Sequence, residues 1–224
     1  MNLHFRPDER RRHHLVRLSR VSWRTMLVAR HELAADPLVA RWTDHGRPLV
    51  VRRVAHGDAP GLPLGLPLPP SAGKRRLSFV VQPADVMSVD LPPTLRTVGR
   101  TAPCAWWPTF DLLESLADRY RIELRVCGSL AWSALTGLDY LTDRSDLDLL
   151  LYVNGGTDLG GVTASLAAME LAAPMRFDGE LIREDGAAVS WREFHGGAPS
   201  VLLKTLGGIS MIEPGRFAAG DLPS

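Results

Sequence analysis

From Thr109 onward the chain alternates between two rhythms of apolar and polar positions. "TFDLLESLADRY" spaces Phe110, Leu113, Leu116, Ala117 and Tyr120 three or four apart, which predicts a helix with one apolar stripe. Thr109 is placed to cap it, and Asp111 and Glu114 suit the positive end of its dipole. "IELRVC" predicts a strand, "SLAWSALTG" a short helix stopped at Gly137, and "DLDLLLYV" a strand ended by Gly155 and Gly156. "GVTASLAAMELAA" predicts a helix halted by Pro174. "MRFDGELI" and "AAVSWREF" read as two strands around a turn at "REDGA", and "PSVLLKTLGG" as a last helix. This interleaving predicts a small α/β (α+β) domain over residues 101–224.

The first hundred residues are less regular, and no internal repeat is visible in the chain. "DPLVARWTDHG" predicts a short helix, with Asp36 as N-cap and Pro37 at the first helical position. "RPLVVRRV" and "RRLSFVV" are rich in β-branched residues and predict strands. Between them "GLPLGLPLPPSAGKRR" reads as an irregular loop, because its prolines lack amide protons. "DLPPTLRTVGRTAP" reads as a linker, which puts a boundary near Gly99 to Pro103 and a smaller α+β domain over residues 1–100.

Composition narrows the function classes. Of 224 residues, 45% are apolar, enough for a sizeable core, so global disorder is excluded. The net charge of +1 carries no bulk field that would select a nucleic acid or a membrane surface. Two cysteines, Cys104 and Cys127, make neither a disulfide framework nor a four-ligand zinc site. "MNLHFRPDERRRHHLVRL" is charged rather than apolar, and no run approaches the length of a membrane span, so the expected setting is the reducing cytoplasm. Arg10 to Arg12 with His13 and His14 read as a solvated terminus, and the single histidine of "EFH", His195, as structural.

The chemistry concentrates in "CGSLAWSALTGLDYLTDRSDLDLLLYV". Asp146 and Asp148 stand two apart on a strand and project to one face, while Leu147 and Leu149 point into the core. Two carboxylates separated by roughly 6.6 Å of rise repel unless a cation lies between them. Oxygen ligands select Mg²⁺ or Mn²⁺ over zinc. Gly128 ends a strand and Ser129 opens a helix, whose free amides and dipole suit phosphate; the missing Cβ of Gly128 permits close approach. "GK" at Gly73-Lys74 is no P-loop, since Arg75 stands where Ser or Thr is needed. Lys74, Arg75 and Arg76 are either a solvated basic loop or a clamp for substrate phosphates, with docking of an acidic protein as the competing role. No basic, aromatic stacking platform argues for a polymerase.

Gly128-Ser129, a helix, and then Asp146-Leu147-Asp148-Leu149 on a strand resemble the signature of the nucleotidyltransferase superfamily of the polymerase-β type. That resemblance implies a third carboxylate on a later strand, at Asp178 in "MRFDGEL", with Glu180 as its competitor. One departure is the interval of sixteen residues between Ser129 and Asp146, longer than that superfamily shows. "PLVVRR", "LPLGLPLPPSAGKRRLSF", "GSLAWSALTGLDYLTDRSDLDLLL", "DGEL", "AVSWREF" and "VLLKT" together look like the phosphoribosyl-dephospho-coenzyme A transferases of malonate decarboxylase. The resemblance spans nearly the whole chain and is strongest from Val126 to Leu151. It implies transfer from 2′-(5″-triphosphoribosyl)-3′-dephospho-coenzyme A to a serine of the decarboxylase's acyl-carrier subunit, with diphosphate leaving. On that reading Asp146, Asp148 and Asp178 hold metal, and Asp178 is also the candidate base. Gly128, Ser129 and Lys204 meet phosphates, and the N-terminal half binds dephospho-coenzyme A or the carrier. The alternatives are the related citrate lyase holo-carrier synthase, a small-molecule nucleotidyltransferase of the antibiotic-modifying kind, and a regulatory module that keeps only the fold.

Overall fold

The computed structural model describes residues 11–221. The chain divides into two compact units, Met1–Leu91 and Pro92–Ser224. The stretch expected as a linker is not one. Leu95, Val98 and Ala102 lie in the core of the second unit, so the chain parts at Leu91/Pro92 rather than near Gly99 to Pro103.

In the first unit, β1 (Leu15–Leu18) is followed by α1 (Arg20–Val28), α2 (His31–Ala34) and α3 (Pro37–Ala40). Asp36 caps α3 as expected, accepting from the N–H groups of Leu38 and Val39. Next come β2 (Leu49–Val51), β3 (Leu62–Pro67), β4 (Arg76–Val81) and β5 (Val86–Asp90), in an antiparallel sheet of order β4-β3-β2-β1-β5. Strand β3 corrects the reading of "GLPLGLPLPP" as an irregular loop. Leu62, Leu64 and Leu66 alternate with Pro63, Gly65 and Pro67, and the three leucines are buried. The Arg52 N–H donates to the Pro63 carbonyl, so positions 63 and 67 turn their backbone groups toward β2. Both fall beyond the ends of that three-residue strand, where a proline forfeits no ladder bond. The solvated terminus needs correction too. Arg10 lies outside the described residues, but His14 is buried and its carbonyl accepts from Val51, while His13 donates to Val51.

The core of this unit holds Trp23 and Trp42, whose indole N–H groups donate to the carbonyls of Val39 and Pro48 at 2.9 Å each. Beside it Arg52 grips Asp58 through two bonds of 2.7 Å, and the Ala55 N–H adds a third at 2.6 Å. Arg52 foremost, then Ala55, lowers the Asp58 carboxyl to about 2. A depressed carboxyl stabilises the fold fully above its unfolded value and ceases to as pH falls through the folded one. Asp58→Asn is therefore expected to lower the unfolding midpoint at neutral pH, with the gap to wild type closing between about pH 4 and pH 2. Urea melts across that range check it; a gap independent of pH would count against the pair.

The second unit runs α4 (Leu95–Val98), α5 (Trp107–Tyr120), β6 (Glu123–Val126), α6 (Gly128–Thr136), β7 (Leu147–Tyr152), α7 (Leu159–Glu170), β8 (Phe177–Ile182), β9 (Ala188–Ser190), α8 (Trp191–His195), β10 (Val201–Lys204), β11 (Ile209–Ile212) and α9 (Pro214–Ala219). The sheet order is β11-β10-β9-β8-β7-β6, with β7 and β8 parallel and every other pair antiparallel. Helix α5 starts two residues before the expected Thr109 cap, with Pro108 in its first turn, and Thr109 is buried instead. "PSVLLKTLGG" is no helix: Val201 and Leu203 are buried while Leu202 and Lys204 are less so, the period of a strand. "AAVSWREF" is a strand only to Ser190. The Ser190 side chain accepts from the Glu193 N–H and starts α8.

One sheet face meets α5 and α7 in a core that includes Leu113, Leu116, Val162, Leu166, Leu147, Leu149, Leu151, Phe177 and Leu181. Strand alternation therefore sends Asp148 and Leu150 of β7, and Asp178 and Glu180 of β8, to the opposite face.

Candidate active site

Parallel pairing puts Asp148 directly beside Asp178, and Leu147 beside Phe177. Asp146 precedes β7 by one residue. Asp148 is also tied to the start of α6: the Cys127 N–H donates to its carbonyl at 3.0 Å. Gly128 has φ +65, and a Cβ on it would overlap the Asp148 carboxylate. Glycine is thus needed twice over, for the left-handed backbone and for the approach of α6 to the acid. The N-cap residue Cys127 makes no side-chain cap bond, and the first N–H groups of α6, with that of Ser129 among them, lie at the helix end beside Asp148. The long interval before Asp146 is ordered. Tyr140 donates its N–H to Ser133 Oγ at 3.1 Å and packs on Trp132, and both rings are buried.

Asp178 Oδ1 accepts from the Gly179 N–H at 2.8 Å. A Cβ at Gly179 would strike the Leu149 carbonyl, so glycine lets β8 lie against β7 at this point. Glu180 faces the same way but is 8% exposed and receives a bond of 2.9 Å from Lys204 Nζ. Lys204, expected to meet phosphates, is thus an ion-pair partner of Glu180. Lys74, Arg75 and Arg76 belong to the other unit. All three are exposed, and Arg75 bonds Asp36 at 2.7 Å, which anchors the turn before β4.

Two residues that the sequence reading passed over sit at this site. Arg192, in the first turn of α8, makes a two-pronged pair with Glu170, the last residue of α7, at 3.0 and 2.7 Å. Its bond to Glu170 raises the guanidinium first, and Asp178 and Asp146 add to the effect. Glu170 is correspondingly lowered, by Arg192 first and against the penalty of burial. The "SWRE" capping pattern was the available signal for α8; the partner 22 residues away left none.

Among the described residues, no three His, Cys, Asp or Glu side chains are gathered closely enough to hold an ion by themselves. The acids near β7 and β8, Asp146, Asp148 and Asp178, offer carboxylate oxygens, which fit a hard cation that takes one or two protein ligands and completes its shell from a substrate's phosphates.

Acids from adjacent strands beside a glycine-started helix are the equipment of an enzyme that transfers phosphorylated groups. Comparison with known proteins says which. The family model described as phosphoribosyl-dephospho-CoA transferase MdcG N-terminal domain matches residues 11–92, and that of the C-terminal domain matches residues 94–214. The chain belongs to this transferase family. It is 50% identical over 209 residues to the phosphoribosyl-dephospho-CoA transferase of Bradyrhizobium diazoefficiens, covering 93% of this chain and 92% of that one. The protein of the same name from Xanthomonas euvesicatoria is 40% identical over 172 residues, 76% of this chain and 81% of its own. That of Xanthomonas campestris is 36% identical over 179 residues, 80% and 84% respectively. No solved structure matches the chain.

The geometry separates the two candidates for third carboxylate. Asp178→Ala is expected to cut turnover by about 10²–10⁴ with little change in melting, the range of a lost general base. Glu180→Ala is expected to act on stability, because it leaves Lys204 without its carboxylate. Steady-state rates and melts of both variants decide it; the reverse pattern would move the role to Glu180.

Proposed function

We propose that the enzyme transfers the phosphoribosyl-dephospho-coenzyme A group from 2′-(5″-triphosphoribosyl)-3′-dephospho-coenzyme A to a serine of the apo acyl-carrier subunit of malonate decarboxylase. The observation that carries this reading is the alignment of Asp148 with Asp178 beside Gly128 at the start of α6. The carrier's serine oxygen bonds the phosphorus nearest the ribose, the bond from that phosphorus to the outgoing diphosphate breaks, and a phosphodiester remains. The nucleophile comes from the partner, so this chain needs no reactive serine or cysteine. Cys104 and Cys127 are not joined in a disulfide, and the setting proposed for the reaction is a reducing cytoplasm.

Asp146, Asp148 and Asp178 are the residues that would hold Mg²⁺ or Mn²⁺, which neutralises triphosphate charge when bound. On this reading Asp178 accepts the serine proton; its Oδ1 accepts from the Gly179 N–H. Ser129 and the first N–H groups of α6 orient the terminal phosphates. A separate proposal concerns the first unit, whose exposed basic loop of Lys74, Arg75 and Arg76 suits an anionic ligand, either the coenzyme A diphosphate or an acidic carrier. The test is an intact-mass spectrum of apo-carrier after incubation with enzyme, Mg²⁺ and the triphosphoribosyl precursor, with the malonate decarboxylase and citrate lyase carriers in parallel. The expected result is a mass gain equal to the transferred group on the malonate decarboxylase carrier; modification of the citrate lyase carrier alone would reassign the partner.

A further inference from the structure

Strand β8 is longer than the neighbour that should protect it. On its β7 side the Leu147 N–H donates to the Arg176 carbonyl, so residues 176, 178, 180 and 182 turn their backbone groups toward β7. Phe177 therefore turns its N–H and carbonyl toward β9. That strand ends at Ser190, opposite Glu180, and the chain then coils into α8. No strand remains to meet Phe177, and an unpaired buried backbone group costs about 1–3 kcal/mol. Glu170 and Arg192 take its place. Glu170 Oε1 accepts from the Phe177 N–H at 2.6 Å, and Arg192 donates to the Phe177 carbonyl at 2.7 Å. The ion pair between them closes the ring.

We propose that the Glu170–Arg192 pair is a positioning device for Asp178. It substitutes for the missing turn of β9, clamps both backbone groups of the preceding residue, and so fixes the carboxylate in register with Asp148. This rests on the reading of Asp178 as third carboxylate. Arg192 is a positioning residue and touches no reacting atom. Its two prongs to Glu170 and its bond to Phe177 all come from the guanidinium fork, a geometry that lysine cannot reproduce.

The test compares Arg192→Ala, Arg192→Lys, Glu170→Gln, Asp178→Ala and the Arg192→Ala/Asp178→Ala double variant, in the full chain. Turnover is measured with the triphosphoribosyl precursor and apo-carrier, and Mn²⁺ affinity by electron paramagnetic resonance without carrier. Arg192→Ala is expected to lower kcat by about 10–100-fold, leave the precursor KM near wild type and weaken Mn²⁺ binding. Arg192→Lys restores little of this, and Glu170→Gln, which keeps an oxygen for Phe177, is milder than Arg192→Ala. In the Asp178→Ala background, adding Arg192→Ala is expected to cost less than about twofold more, since it acts only through that acid. Full additivity, or a lowered melting point with wild-type kcat and Mn²⁺ affinity, would overturn the positioning role. A silent Asp178→Ala would overturn the assignment of the carboxylate itself. If Arg192→Ala does not fold, Arg192→Lys carries the same comparison.

Discussion

Asp148→Asn is expected to lose transfer by at least about 10²-fold while keeping its fold, and Asp146→Asn to behave alike. Asp148 stands between the start of α6 and Asp178, which on the proposed function is where triphosphate and counter-ion meet. The amide is nearly the same size and the strand around it is held by Leu147, Leu149 and Leu151, all fully buried. Packing is therefore unchanged, and removing one of several neighbouring negative charges can raise the melting point of the free protein. Single-turnover rates and melts check both halves of the expectation. Wild-type rates in either variant, or full activity after chelation of divalent ions, would sink it.

Gly128→Ala is expected to be almost as damaging, by a different route. Its φ of +65 costs an alanine about 1–2 kcal/mol before any contact is counted. Its new methyl then meets the Cγ and Cβ of Asp148 as well as the carboxylate oxygen, so a rotamer change alone does not relieve the overlap. Either α6 or β7 shifts, and a misplacement of about 1 Å at a reacting centre costs on the order of 10²-fold in rate. The expected signature is a fall in both midpoint and kcat, in contrast to Asp148→Asn, which lowers kcat without lowering the midpoint. A Gly128→Ala enzyme with unaltered kcat would show that the approach of α6 to Asp148 is not used.

The acidic site was readable in the sequence because strand alternation is a local property. Leu147, Leu149 and Leu151 declared one face of β7, and Asp148 had to take the other. Where composition competes with periodicity, the reading went astray. The prolines of β3 suggested a loop, although the leucines between them kept a period of two. The apolar run of β10 fits helix or strand alike until burial separates Val201 and Leu203 from Leu202 and Lys204. Pairing over distance was not legible at all. Nothing in "MELAA" or "SWRE" announces that Glu170 and Arg192 meet over Phe177, nor does "VLLKT" reveal that Lys204 spends its charge on Glu180. The basic loop was visible as charge, but its tie to Asp36 was not.

The parallel pairing of β7 and β8 bears on when activity arises during synthesis and refolding. A parallel pair cannot form by a hairpin; it waits for the intervening crossover, here α7, to close. Helices α5 to α7 can form from local contacts, but Asp178 reaches Asp148 only when β8 docks. On the proposed function, a nascent chain that has not yet delivered β8 holds secondary structure and two acids but lacks Asp178. Regain of helical signal is then expected to precede regain of turnover on refolding, by the time that β8 takes to dock.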